Sequence, residues 1–175
     1  MTILLYILIG LVVLIAILAM IAPKTYDVSR SISISKPIGD VFEYVRSLKK
    51  QDEWGPWAKK DPDMVKEFTG TDGEVGAVSS WKGNKDVGEG EQEITGIKEN
   101  EVVETQLRFL KPFKSESDAY IRVKDEGNGS TKVTWGFSGN NKFPVSIMML
   151  FMNMDKSVGK DFEQGLSDLK DILEK

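Results

Sequence analysis

From Ile3 to Ala22 the chain is apolar at every position except Tyr6 and Gly10, and no charged residue precedes Lys24. A helix over such a run rises about 1.5 Å per residue and spans roughly 30 Å, the hydrocarbon thickness of a bilayer. After Pro23 the pattern changes. Val28, Arg30, Ile32 and Ile34 alternate with Ser29, Ser31, Ser33 and Ser35, which predicts a half-buried strand ending near Ser35. Pro37 suits a first helical turn, and Ile38, Val41, Phe42, Val45 and Leu48 recur at three- and four-residue intervals, so an amphipathic helix follows. Trp54, Gly55, Pro56, Trp57 and Pro62 predict an ordered bend over 52–63 with two aromatic anchors. Turn residues then separate short β-prone runs at 65–69, 77–82, 88–98, 102–110, 115–124 and 131–138, and connections of hairpin length predict an antiparallel meander. From Pro144 to Lys175 a helical stripe returns: Phe151, Met154, Val158, Phe162, Leu166, Leu169 and Leu173. Asn153, Asp155 and Gly159 are the positions where this long helix is expected to bend or divide.

The pattern divides the chain into an N-terminal transmembrane anchor, 1–23, and a soluble domain, 24–175. A cleaved signal sequence competes with the anchor but fits less well. It calls for a basic start, a shorter apolar core and small residues before the cut, whereas cleavage after Ala22 would place Met20 at a small-residue position. A buried core helix is the remaining alternative. Lys24, Arg30 and Lys36 follow the apolar run, partly offset by Asp27, and favour a cytoplasmic domain by the positive-inside rule.

Beyond Pro23 the chain is richly charged, with 27 acidic against 23 basic residues, net −4, and no basic stripe. Nucleic acid is not an expected partner, because phosphate binding needs clustered Lys and Arg. The chain contains neither His nor Cys. That removes Cys and His nucleophiles, a Ser-His-Asp triad and His- or Cys-ligated zinc. Gly88 and Gly90 lack the third glycine of a dinucleotide fingerprint, and Asp61 with Asp63 and Asp72 with Glu74 lack calcium-loop spacing. No metal, cofactor or catalytic residue is expected. Asn128-Gly129-Ser130 matches a glycosylation sequon, but its place in a hairpin turn makes coincidence the plainer reading.

Glu89, Glu91 and Glu93 share one face of their strand, as do Glu104, Gln106 and Arg108 of the next. A face turned into a cavity would raise a Glu pKa and supply proton transfer. The plainer expectation is a solvated outer face with cross-strand ion pairs, because Val103, Leu107 and Phe109 offer the opposite face to the core. The aromatic and Met inventory is the positive signal: Trp54, Trp57, Trp81, Phe109, Trp135, Phe137, Phe143, Met148, Met152 and Phe162 can converge from sheet and C-terminal helix. They either fill the core or line an adaptable apolar pocket.

The chain resembles the START and plant-allergen-like (SRPBCC) superfamily of polyketide cyclase/dehydrase and lipid-transport domains. The resemblance rests on the strand from Tyr26 to Ser35 with Pro37, Val41 and Phe42, the Glu53-Trp54-Gly55-Pro56-Trp57 segment, Trp81-Lys82-Gly83-Asn84, Trp135-Gly136-Phe137, and the stretch from Phe151 to Leu166. It implies an α+β, helix-grip fold: a curved seven-stranded antiparallel sheet around a long C-terminal helix, here preceded by one transmembrane helix. It also implies a cavity between sheet and helix, with the ten aromatic and Met residues as positions facing it. The expected role is membrane-tethered, non-catalytic binding of a small hydrophobic or amphipathic ligand. The alternatives are a cyclase- or dehydratase-like enzyme in which a Glu, Tyr120 or Arg108 moves protons, and an interaction domain with a filled core.

Overall fold

A computed structural model of the chain describes residues 2–141, 143–151 and 153–175. The apolar run forms helix α1, Thr2–Ile21, with none of its residues buried. Its length and composition are those of a membrane span, and equally of a signal sequence. Strand β1, Thr25–Ile34, leads into α2, Ile38–Val45. Leu48 lies beyond α2's end yet is still buried. The Trp-rich bend, expected to be loop, is two short helices, α3 (Gln51–Trp54) and α4 (Pro56–Lys60). Gly55-Pro56 separates them without abolishing them: Pro56 starts α4 with its φ already set for a helix, and a Cβ at Gly55 would lie 2.7 Å from the Gln51 carbonyl oxygen.

Six strands follow: β2 (Val65–Thr69), β3 (Val78–Lys82), β4 (Glu89–Lys98), β5 (Val102–Lys111), β6 (Ser115–Gly127) and β7 (Ser130–Asn140). They form one antiparallel sheet in the order β1-β7-β6-β5-β4-β3-β2. β2 to β7 are thus a meander, and β1 closes it by pairing with the last strand from Thr25↔Asn140 to Ile34↔Thr131. The tight β6–β7 turn is made by Gly127, Asn128 and Gly129, all at positive φ, where L side chains are disfavoured.

The C-terminal helical stripe divides into α5, Val145–Met148, and α6, Met154–Leu173. Asn153 is the break, and the reason is local. Its side chain accepts a hydrogen bond from the Lys156 backbone N–H at 2.8 Å, so it caps a new helix. Asp155 and Gly159 lie inside α6 without interrupting it.

One face of the sheet is covered by α2 and α6. Ile34, Ile94, Val103, Val123 and Val133 meet Val41, Phe42 and Val45 of α2 and Leu166 and Leu169 of α6 in the core. α6 is seated by aromatic contact: Phe162 stacks on Trp135 with centroids 4.3 Å apart, and Trp54 meets Trp135 edge-on at 4.7 Å. Such pairs add about 0.5–1.5 kcal/mol each beyond their buried area. Lys59–Asp168 and Lys60–Asp161 ion pairs, both 2.6 Å, tie α4 to the same helix at its exposed edge.

Gly165 makes the seat possible. A Cβ there would lie 2.7 Å from Trp135 Cζ3 and 3.2 Å from Pro56 Cδ. Gly165→Ala is therefore expected to destabilise the fold by about 1–3 kcal/mol despite alanine's better helix propensity. Urea unfolding followed by tryptophan fluorescence measures it, and an unchanged or raised midpoint would contradict this account of the seat.

Candidate functional site

The helix-covered face is filled at one end only. Where α2 and the C-terminal half of α6 lie, the inward positions are branched aliphatics. Toward the β5–β6 turn small residues, Ser79, Ser117, Ala119 and Gly139, stand among the aromatic ones. A cavity of about 940 Å³ occupies the difference, within the range of about 300–1,000 Å³ usual for ligand sites. Its floor is β3 to β7, and α4, α5 and α6 supply its wall through Trp57, Val145, Met149, Met154, Val158 and Phe162.

Two glycines shape the floor. Tyr26 pairs with Gly139 across β1–β7, and Trp81 pairs with Gly90 across β3–β4. A Cβ on either glycine would collide with the facing ring, at 2.3 Å from the Tyr26 hydroxyl and 2.7 Å from Trp81 Cζ2. The rings therefore lie down on the sheet and do not rise to close the space. Trp81 meets Phe109 edge-on at 6.0 Å, and Tyr26 leans on Phe137 at 4.9 Å.

Exposed charged residues, among them Lys85, Asp86, Lys111, Lys114 and Glu116, border the cavity, and its buried polar groups include the Trp81 indole N–H, which has no partner among the described residues. The Tyr26 hydroxyl and Ser117 Oγ share a hydrogen bond of 2.5 Å. Burial pushes the Tyr26 phenol up from its ordinary value, against the lowering effect of Ser117, and the Asp118 carboxylate adds to the rise. The phenol is thus neutral at physiological pH and available as a donor or acceptor. Gln92 Nε2 donates to Thr105 Oγ1 at 3.2 Å, and at the β2 end of the cavity Lys66 is ion-paired with Asp52 of α3.

Of the ten residues expected at a pocket, Trp57, Trp81, Phe109, Trp135, Phe137 and Phe162 line the cavity. Trp54 does not: it is fully buried against Trp135, in the seat of α6. Phe143 and Met148 are 64% and 44% exposed, while Val145 and Met149 of the same segment line the cavity. Met152 lies outside the described residues. Sequence reasoning missed Tyr26, Ser117, Gln92 and Lys66. A detectable signal existed for two of them, because Gln92 and Lys66 put polar side chains in the inward phase of β4 and β2.

Glu91, Glu93, Gln106 and Arg108 lie together on the opposite face. Arg108 donates to Glu91 at 2.5 Å, to Gln106 at 2.8 Å and to Glu93 at 2.7 Å. Tyr120 is on that face too, over Gly136 and beneath the Arg122 guanidinium at 4.1 Å. These groups bond one another on the side of β5 that alternates with Leu107 and Phe109, although Gln106 and Arg108 also border the cavity. Among the described residues no cluster of potential metal ligands occurs.

The first turns of α6, which wall the cavity, are held by Arg30 from β1. It donates to Asp155 Oδ1 at 2.8 Å and Glu163 Oε1 at 2.6 Å. The Arg30 hydrogen bond holds the Asp155 carboxyl below its ordinary value.

These features define a helix-grip protein with an internal, largely apolar cavity between its sheet and C-terminal helix. The chain belongs to the polyketide cyclase/dehydrase and lipid transport family, whose sequence model matches residues 25–174. Among curated proteins none matches by sequence. Among solved structures, a protein from Nitrosospira multiformis is 17% identical, covering 83% of this chain and 94% of its own, with a TM-score of 0.58. Ginseng major latex-like protein 151 from Panax ginseng is 15% identical over 86% of this chain and 98% of its own, with a TM-score of 0.57. Ara h 8.0201 is 13% identical over 85% and 97%, with a TM-score of 0.56. At these identities the likeness is one of fold.

Because the folded value of Asp155 is depressed, its contribution is complete above the ordinary carboxylate range and is lost as pH falls through the folded value. Amide exchange in the first turns of α6, taken relative to the intrinsic rate at each pH, is expected to accelerate on acidification below about pH 4. In Arg30→Gln it should already be fast at neutral pH, while Leu166 and Leu169 stay protected. Equal protection of both halves in the variant would show that Arg30 does not hold this wall.

Proposed function

We propose that this protein binds a small hydrophobic or amphipathic, lipid-like molecule between its sheet and α6, without transforming it, while α1 tethers the domain to a membrane. The observation that carries the reading is the cavity: about 940 Å³, walled mainly by aromatic and aliphatic side chains, with a neutral phenol–hydroxyl pair and one amide among its inner polar contacts. Apolar walls supply affinity through surface removed from water, and a few fixed polar groups set orientation. Membership of a family that includes lipid transport is consistent with it. A cyclase-like reading is weakened because Glu91, Glu93 and Tyr120 do not line the cavity, and Arg108, which borders it, is bonded to both glutamates. In this proposal residues 1–23 stay in the bilayer and residues 24–175 form the water-facing domain, with Lys24, Arg30 and Lys36 favouring the cytoplasmic side.

Ala119, small and central on the floor, is the place to block the cavity. Ala119→Phe is expected to weaken binding of a fluorescent fatty-acid analogue at least about tenfold, or about 1.4 kcal/mol, with circular dichroism unchanged. Equal affinity in the blocked and parent proteins would refute ligand binding in this space. The tether is tested separately. Intact mass of protein taken from membranes should retain residues 1–23, and Asn128→Cys should react with an impermeant maleimide only after lysis.

A further inference from the structure

Large apolar side chains are expected inside, and outside α1 seven are exposed among the described residues: Val65, Val75, Leu110, Phe113, Phe143, Met148 and Phe151. The first two are scattered singly, which needs no explanation. The other five, 44–79% exposed, fall on two loops: the β5–β6 turn and the connection from β7 to α6. Both loops frame the cavity, because Leu110 and Phe113 from one and Val145 and Met149 from the other line it.

The second loop is joined to the end of α1. The Asn141 backbone N–H donates to the Lys24 carbonyl at 2.8 Å, and its side-chain Nδ2 donates to the Pro23 carbonyl at 3.2 Å. α5 touches α1, and a smaller hollow of about 400 Å³ lies between Pro23, Tyr26, Met149 and Phe151. The first loop is brought alongside by the Ser117↔Gly139 pairing. The open end of the cavity, five unburied apolar side chains and the exit of an all-apolar helix therefore occupy one end of the sheet. The turns around Asn100 and Asn128 occupy the other.

We propose that this rim is a membrane-docking surface. Phe113, Phe143, Met148 and Phe151 insert into the boundary between headgroups and acyl chains of the bilayer that α1 spans, so the cavity opens onto lipid and receives a membrane-resident amphiphile laterally. Lys111 and Lys114 flank Phe113, and their long stems suit headgroup depth. The occupant is a lipid bilayer because the rim is continuous with the exit of α1. The proposal rests on the tether reading above.

The chain has no cysteine, so single-site labelling is free of background. Full-length Phe113→Cys, Phe143→Cys and Phe151→Cys, each carrying an NBD label, are reconstituted in phosphatidylcholine–phosphatidylglycerol vesicles, with Asn128→Cys and Leu14→Cys as references. Shallow doxyl-labelled lipid is expected to quench the three rim labels about twofold or more and to spare position 128. Doxyl quenching decides the matter, because a blue shift alone would also follow from a label folding into the cavity. Rim labels unquenched while Leu14→Cys is quenched by deep doxyl lipid would overturn the docking surface and leave the tether intact. Shielding that depends on protein density, without doxyl quenching, would assign the rim to a second copy and likewise overturn it. An unquenched Leu14→Cys would remove the tether, and the docking surface with it. Quenched rim labels with no uptake of the fatty-acid analogue would support docking and count against the ligand.

Discussion

The fold depends on how closely one helix can approach one sheet. α6 lies on β7 because Phe162 stacks on Trp135 and because Gly165 removes the Cβ that would strike the same indole. That contact fixes the helix over the half of the sheet already filled by α2, where interdigitated aliphatics supply the transfer free energy. It also fixes where the helix cannot fill. Beyond Phe162 the helix faces Met154 and Val158 toward inward sheet positions that include Ser, Ala and Gly. One seat thereby yields both a packed core and an unfilled hollow. The hollow need not cost what a deletion cavity costs, because it is open to exchange at one end.

The walls of that hollow follow from pairs that are unusual in a sheet, an aromatic residue directly opposite a glycine. Tyr26–Gly139 and Trp81–Gly90 lay rings flat on the floor, giving apolar surface without bulk. On the other face Tyr120 does the same over Gly136. Glu91 and Glu93 are both satisfied by Arg108 on that outer side, so their charges are held apart from the helix-covered face. The polar contacts left inside are the Tyr26–Ser117 pair, Gln92, the Lys66–Asp52 ion pair and the unpartnered Trp81 indole N–H.

Much of this was legible in the sequence. Alternation in β1 and turn residues between the later strands gave element positions close to those observed, because those strands have one wet and one dry face and so carry a period of two. The pairing of β1 with β7 was not legible, since it joins positions 97 to 115 residues apart and leaves no local trace. Gly55-Pro56 read as loop although it divides two helices. The stripe after Pro144 was expected to bend or divide at Asn153, Asp155 or Gly159, and the cap at Asn153 is what selects among them. For the cavity, aromatic residues pointed to the right region, but composition cannot distinguish Trp54, which seats the helix, from Trp57, which faces the space. Tyr26 and Ser117 were missed because a hydroxyl on a strand looks the same whether it meets water or another hydroxyl.

Asn141 makes two bonds to the two residues that follow Ala22, one from its backbone and one from its side chain. A flexible linker would let the domain tumble independently of α1. Here the two bonds join the exit of α1 to the end of the β1–β7 pair and to the loop that follows it. The exit of α1 and the end of the strand pair thus share one polar fastening, and a side chain without the Asn141 amide would leave it resting on a single backbone bond.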